Sequence, residues 1–226
     1  MQNFDFVIVG SGGGGLAAAI TAKLQGLRPL LLEKTPLVGG SSAMSGGVLW
    51  LPASPVMKRE GISDSREAGL QYMENFVEKG ALYSTPARRE AYIDAIAPMI
   101  ATMESQGMKY RWCYEYSDYY DTLPGGHPRG RAVVAELFNV NSLGSWAKRL
   151  RPGHQIIPIH TMEAAIITQL GVNMAGKMMA ARIGGRMIVD KLTGGKRSGG
   201  GNALQGRMLE IALRLGIDIW TEAALV

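Results

Sequence analysis

A dinucleotide-binding α/β fold is predicted by three observations near the start of the chain. An apolar run enters a glycine turn, an Ala-rich stretch follows it, and a second apolar run ends on an acid. Residues 4–9 (Phe-Asp-Phe-Val-Ile-Val) read as a short buried strand, residues 10–15 (Gly-Ser-Gly-Gly-Gly-Gly) as the turn, and residues 16–25 as a helix. The glycines Gly10, Gly12, Gly13, Gly14 and Gly15 are candidate cofactor-binding positions. Gly10 permits the tight turn, Gly12 lets backbone approach a pyrophosphate, and Gly15 lets helix and strand pack closely, with the phosphates at the helix N-terminus. A glycine run alone fits an ordinary loop equally well. Residues 27–32 change that, because they form a second strand ending at Glu33, about twenty residues beyond the turn, where a carboxylate can accept hydrogen bonds from ribose hydroxyls.

Residues 37–47 (Leu-Val-Gly-Gly-Ser-Ser-Ala-Met-Ser-Gly-Gly) distinguish between dinucleotides. A second helix-strand repeat would suit NAD. A loop of glycines and hydroxyls instead offers many small donors to a long, flat, anionic cofactor, so FAD fits better.

Further along, a helix is expected from Ser63 and Asp64 with a stop at Gly80. Another should begin at Thr85 as cap and Pro86 in the first turn and run to Gln106, kinked or shortened by Pro98. Both read as packing elements. Residues 108–113 read as a strand containing Cys113, and the lone cysteine excludes an internal disulfide or a paired-cysteine redox centre. The three histidines, His127, His154 and His160, lack metal-ligand spacing and read as loop or surface residues, so no metal site is expected. Residues 200–215 read as a helix stopped by Gly216, and residues 217–221 as a strand.

Composition divides the chain into residues 1–122, a basic and Met-rich insertion at 123–197, and a return at 198–226. The net charge of +5 originates in the insertion, where eleven Lys and Arg face three acids. Three readings stay open for it: a cover over a substrate entrance, a membrane-surface segment, or a basic patch for nucleic acid. The last lacks any aromatic-basic motif, so no nucleic-acid partner is expected. No apolar run is long enough to span a bilayer and no basic leader precedes the first strand, which suggests a cytoplasmic protein with peripheral membrane contact as an open reading.

Residues 7–15, Glu33 and Lys34, Gly39, Gly40, Ser41 and Ser42, and Ser45, Gly46 and Gly47 together resemble the FAD-binding signature of the fumarate reductase/succinate dehydrogenase flavoprotein superfamily. Residues 48–52 (Val-Leu-Trp-Leu-Pro), 56–61, 116–120 (Tyr-Ser-Asp-Tyr-Tyr), 124–126 and 130–131 resemble its 3-ketosteroid dehydrogenase branch. The resemblance implies a Rossmann-like FAD-binding domain of glutathione-reductase type with a partly helical insertion. It also implies noncovalent FAD, a small hydrophobic 3-ketosteroid substrate and an external electron acceptor. The implied reaction introduces a C1–C2 double bond by proton abstraction and hydride transfer to flavin N5. Tyr119 matches an active-site tyrosine that assists the main base, although from the residues alone it would also read as a packed aromatic. The loop at 39–47 has no His, so covalent attachment of the flavin is not expected. That family runs to more than twice 226 residues. The chain therefore reads as an N-terminal fragment, inactive alone, lacking the substrate domain and further active-site groups, with Ala224 as a backbone contact near the adenine. The alternatives are a fumarate reductase-like or other enone-forming flavin dehydrogenase, and a noncatalytic FAD-binding module.

Overall fold

The computed structural model describes residues 3–114, 116–153 and 157–225, so the expectations for His154 and Ile156 lie outside the described residues. The chain forms two compact units, residues 1–47 with 135–226, and residues 48–134. These boundaries differ from the compositional ones at 122 and 197, because charge composition records what faces solvent, whereas units are set by what packs together.

The first unit is built on a parallel sheet of order β1-β2-β8, from β1 (Phe6–Val9), β2 (Pro29–Leu32) and β8 (Asp218–Trp220). Ile8 pairs with Leu31, and Leu31 with Ile219. The crossover between β1 and β2 is α1 (Gly13–Leu24), which buries Leu16, Ala19 and Ile20. The glycine turn therefore leads directly into a helix that starts three residues earlier than Leu16. A short helix, α2 (Gly40–Met44), occupies the loop expected at residues 37–47. Its small residues let it lie against α9 (Gly200–Arg214), which is buried over most of its length and also packs on α1. Gly216, at φ +67°, ends that helix region before β8. The remainder of this unit includes a two-stranded ribbon, β6 (Phe138–Asn139) with β7 (Arg197–Ser198), and a helical pair, α7 (Thr161–Ile167) and α8 (Met174–Thr193).

The second unit surrounds a core of Leu51, Val56, Met57, Ile93, Ile100, Trp112 and Val133. Its sheet has the order β3 (Leu49–Trp50), β5 (Ala132–Ala135), β4 (Tyr110–Trp112). Cys113 follows β4 and is fully buried, as a small apolar residue should be. The helix expected from Pro86 to Gln106 is two: α5 (Pro86–Asp94) and α6 (Ile96–Ser105). Pro98 supplies the reason, since its ring opposes the carbonyl four residues earlier, at Asp94, and it lacks the N–H to bond it. The helix expected at Ser63 and Asp64 starts later, with Ser65 capping α4 (Arg66–Phe76) through the Ala68 N–H. Asp64 is drawn instead into a buried ion pair with Arg131 at 2.8 Å.

Candidate functional site

In the first unit a cavity of about 510 Å³ opens where β1 and β2 end, lined by Gly10, Gly12, Glu33, Lys34, Gly40, Ser41 and Ala224 among others. Seven predicted positions thus converge from four separate stretches. Gly10 adopts φ +96°, a conformation that suits glycine. A Cβ at Gly15 would stand 1.8 Å from the Gly10 carbonyl oxygen, so this glycine is fixed by the approach of α1 to the turn. The N-terminus of α1 has no side-chain cap from its own Gly12. It presents first-turn N–H groups and the positive end of the helix dipole, the arrangement that suits a pyrophosphate.

Apart from Gly14, the other predicted glycines and serines hold the cradle together without lining it. Ser42 Oγ accepts from the Gly13 N–H at 3.2 Å, tying the turn to α2. Gly39 takes φ +119° and donates its N–H to Ser11 Oγ at 3.0 Å. Ser45 donates to the Ser42 carbonyl at 2.8 Å and accepts from the Gly47 N–H at 3.1 Å. The Gly46 carbonyl accepts from Thr161 Oγ1 at 2.9 Å, and a Cβ at Gly47 would collide with the backbone of Gly200. A Cβ at Gly14 would meet nothing within 4 Å.

Glu33 is only 5% exposed. One carboxylate oxygen accepts from the N–H and hydroxyl of Ser11, and the other from the N–H and hydroxyl of Thr35, both at 3.0 Å. Burial pushes its pKa up, but these donors outweigh burial and hold it below the ordinary carboxylate value. Three of its acceptor positions are thus engaged by the protein and the fourth competes with the Leu37 carbonyl for the single Thr35 hydroxyl hydrogen, so a ribose hydroxyl would enter most readily on the Thr35 side.

Two cavity residues, Ser11 inside the turn motif and Arg151 outside any motif, are not among the predicted contacts. Ser11 joins Glu33 to Gly39 and so couples the end of β2 to the second glycine loop. Arg151 donates to Thr35 Oγ1 at 2.9 Å, and its backbone is fixed by Val38 and Asn202. Its buried Nε has no hydrogen-bond acceptor among the described residues. The one available sequence signal was that it is a cation in the basic segment, and nothing in spacing tied it to the turn 140 residues away.

A profile of the FAD binding domain family matches residues 5–226. The chain belongs to this family. It is 34% identical to a 3-oxosteroid 1-dehydrogenase of Mycobacterium tuberculosis over 97% of this chain and 39% of that protein. It is 36% identical, over 66% of its length and 26% of the relative, to a 4-oxocyclohexanecarboxylate 2-dehydrogenase of Sinomonas cyclohexanicum. Its structure resembles the 3-ketosteroid Δ1-dehydrogenase of Sterolibacterium denitrificans, solved with 1,4-androstadiene-3,17-dione. That match has a TM-score of 0.87 and 26% identity, and covers 98% of this chain and 41% of that one. The chain thus spans about two fifths of the length of these 3-ketosteroid relatives. The cavity of the FAD-binding unit fits the cofactor of its family: helix N-terminus, positive-φ glycine, acid at the strand end and a flanking cation.

In the second unit, Tyr119 is 87% exposed and lies at the rim of a cavity of about 250 Å³ with Val48, Trp50, Tyr116, Ser117, Asp118 and Ala132. It is therefore not the packed aromatic that the residues alone allowed. Its neighbour Asp118 is buried and accepts from Trp50 Nε1 at 2.9 Å, the His127 N–H at 3.1 Å and Arg131 at 2.7 Å. Arg131, 1% exposed, pairs with both Asp118 and Asp64. Burial pushes the Tyr116 hydroxyl pKa up, and the adjacent Tyr119 with its hydrogen bond pushes it further.

His160 corrects its sequence reading. It is buried, heads α7, and lies 3.3 Å from Glu136. Among the described residues no cluster of potential metal ligands occurs, and no helix is long and apolar enough to cross a membrane.

Proposed function

We propose that the chain is the cofactor-holding portion of a 3-ketosteroid 1-dehydrogenase, with a Rossmann-like domain of glutathione-reductase type, working in the cytoplasm with an external electron acceptor. The observation carrying the flavin part is the convergence of α1's N-terminus, Glu33, Lys34, Gly40, Ser41 and Ala224 on one cavity. FAD, when bound there, supplies the hydride acceptor for oxidation of a CH–CH pair. The α1 N-terminus would hold the pyrophosphate noncovalently, Glu33 and Lys34 the ribose side, and Ala224 the adenine side through its backbone.

The steroid part rests on Tyr119 and on the relatives. A phenol that is to receive or relay a proton needs access and a fixed approach. Tyr119 has access at the cavity rim, and the Asp118–Arg131 pair fixes the backbone immediately before it. Tyr116 is held as a protonated partner beside it. Tyr119 then assists removal of the substrate proton, and the principal base is one this chain does not identify. The likeness to a cyclohexanone-type dehydrogenase supports the broader reading that the substrate is a ring ketone.

The test is a chimera joining residues 1–226 to the remaining three fifths of the Mycobacterium tuberculosis relative, assayed for 1-dehydrogenation of a 3-ketosteroid. Turnover is expected. Tyr119→Phe should lower kcat by about 10²-fold, the lower end of general acid-base contributions, with little change in KM. A chimera that binds FAD yet oxidises no 3-ketosteroid would sink the steroid assignment, and failure to bind FAD would sink the cofactor assignment.

A further inference from the structure

Helix α8 has its polarity turned outside in. Its twenty residues make a rod roughly 30 Å long. The charged side chains Arg186 and Asp190 point toward the unit: Arg186 pairs with Glu163 of α7 at 2.7 Å, and Asp190 accepts from Arg197 at 2.6 Å. Gly176 and Ile183 are buried on that same side.

The opposite side is apolar. Met174, Met178, Ala181, Gly185, Ile188 and Leu192 recur at spacings of four and three, which aligns them along one face. All six are exposed, with Met178 at 67%, Ile188 at 62% and Leu192 at 81%. Val189 beside them and Val172 in the preceding turn are exposed too. A surface helix ordinarily turns such a stripe to the core, and an apolar stripe this long on the outside marks an interaction surface.

The flanking charges identify the occupant. Lys177, Arg182 and Lys191 border the stripe and are all exposed, while the only acid of α8 is Asp190, which faces inward to Arg197. A second copy of the same face would bring these cations together. An anionic lipid surface would accept them, with the aliphatic stems lying along the apolar layer and the charged ends reaching the headgroups. We propose that α8 is an interfacial helix that seats this protein on an anionic bilayer, lying in the headgroup plane without crossing it.

Vesicle flotation with the 226-residue chain tests it. Phosphatidylcholine vesicles containing phosphatidylglycerol should carry the protein up, pure phosphatidylcholine should carry much less, and high salt should release it. Ile188→Glu with Leu192→Glu should lower partitioning by at least about tenfold, since two aliphatic side chains are withdrawn from the apolar layer. Lys177→Gln, Arg182→Gln and Lys191→Gln together should reduce binding to the anionic vesicles by about fivefold per charge and leave the weak binding to neutral vesicles unchanged. Both variants should retain the far-ultraviolet circular dichroism of the parent. The triple Gln variant keeps every apolar residue, so it tests the lipid charge preference even where the Glu pair disturbs the helix. Failure of the parent to float with anionic vesicles overturns the proposal. So does equal flotation of parent and Glu variant, or a parent dimer in sedimentation velocity that the Glu pair dissolves, which would make a second copy the occupant.

Discussion

Arg151 illustrates how much of the cofactor site is decided by single side chains. It lines the cavity and donates to Thr35 Oγ1, which in turn lies within hydrogen-bond distance of the Glu33 carboxylate. A guanidinium in that position is available to an anion, and charge-assisted hydrogen bonds contribute about 1.5–3 kcal/mol. Arg151→Met is therefore expected to weaken FAD and ADP binding by about tenfold or more while leaving riboflavin, which has no phosphate, unchanged. Fluorescence titration of the three ligands checks this, and an unaltered affinity for ADP would remove Arg151 from the site. Glu33 gives a second expectation. Hydrogen bonds hold its folded pKa below the unfolded value of about 4.3, so its contribution to stability is complete above that value and is lost as pH falls through the folded one. Asp64 behaves alike: burial raises its pKa, but Arg131 and the Ala53 N–H bring it below the ordinary value. Urea midpoints should thus fall steeply below about pH 4. In Glu33→Gln and Asp64→Asn variants the curve should start lower at neutral pH and be flatter on acidification; a parental slope in both variants would assign the acid sensitivity elsewhere.

At the scale of elements, the cradle depends on how closely α9 approaches α2. A Cβ on Gly201 would lie 1.9 Å from the Ser42 carbonyl oxygen and 2.8 Å from Ser45 Oγ, contacts that a rigid backbone cannot relax cheaply. Gly201→Ala is expected to cost about 3 kcal/mol, at the upper end of ordinary overpacking. Gly14→Ala, in a helix with open space beyond the Cβ, should instead leave the nucleotide-free chain unchanged or stabilise it by up to about 1 kcal/mol. Thermal unfolding of the two variants side by side separates a glycine needed for packing from one that packing tolerates. The contrast also shows what was legible in the sequence. The strand-turn-helix-strand order and the α9–β8 return are local patterns of period and glycine stops, and they were readable. The split of α5 from α6 was half readable, because Pro98 was visible but the break four residues before it depends on which carbonyl the ring opposes. The folding of residues 40–44 into α2 was not readable, since it rests on contacts from Gly13 and from α9, remote in sequence. Ser11 and Arg151 were missed for the same reason, as their roles exist only once distant segments meet. The outward stripe of α8 was visible as Met-rich basic composition, but its direction depends on Glu163 and Arg197 drawing the charged side inward.

At the scale of the molecule, each unit supplies a different part of the reading. The unit of residues 1–47 and 135–226 contains a cavity at the start of α1, lined by the strand-end acid Glu33 and by Ala223 and Ala224. The unit of residues 48–134 contains Tyr119 at the rim of a cavity beside Tyr116, whose hydroxyl pKa is pushed up by burial. Retention and chemistry therefore make separate demands. Retention draws on the groups that line the first unit's cavity, whereas dehydrogenation of a ring ketone also needs a base and donors that polarise the ketone. The 3-ketosteroid relatives are about two and a half times as long, which leaves room for those groups outside the matched region. The expected outcome is that residues 1–226 supplied with FAD show a bound-flavin absorbance spectrum that a saturated-ring-A 3-ketosteroid does not bleach under anaerobic conditions. The chimera carrying the remainder of the relative should bleach under the same conditions. Bleaching by the chain alone would mean that Tyr119 and its neighbours suffice for proton removal and would overturn the division between retention and chemistry. Absence of a bound-flavin spectrum would instead mean that the cradle needs further chain to close on its cofactor.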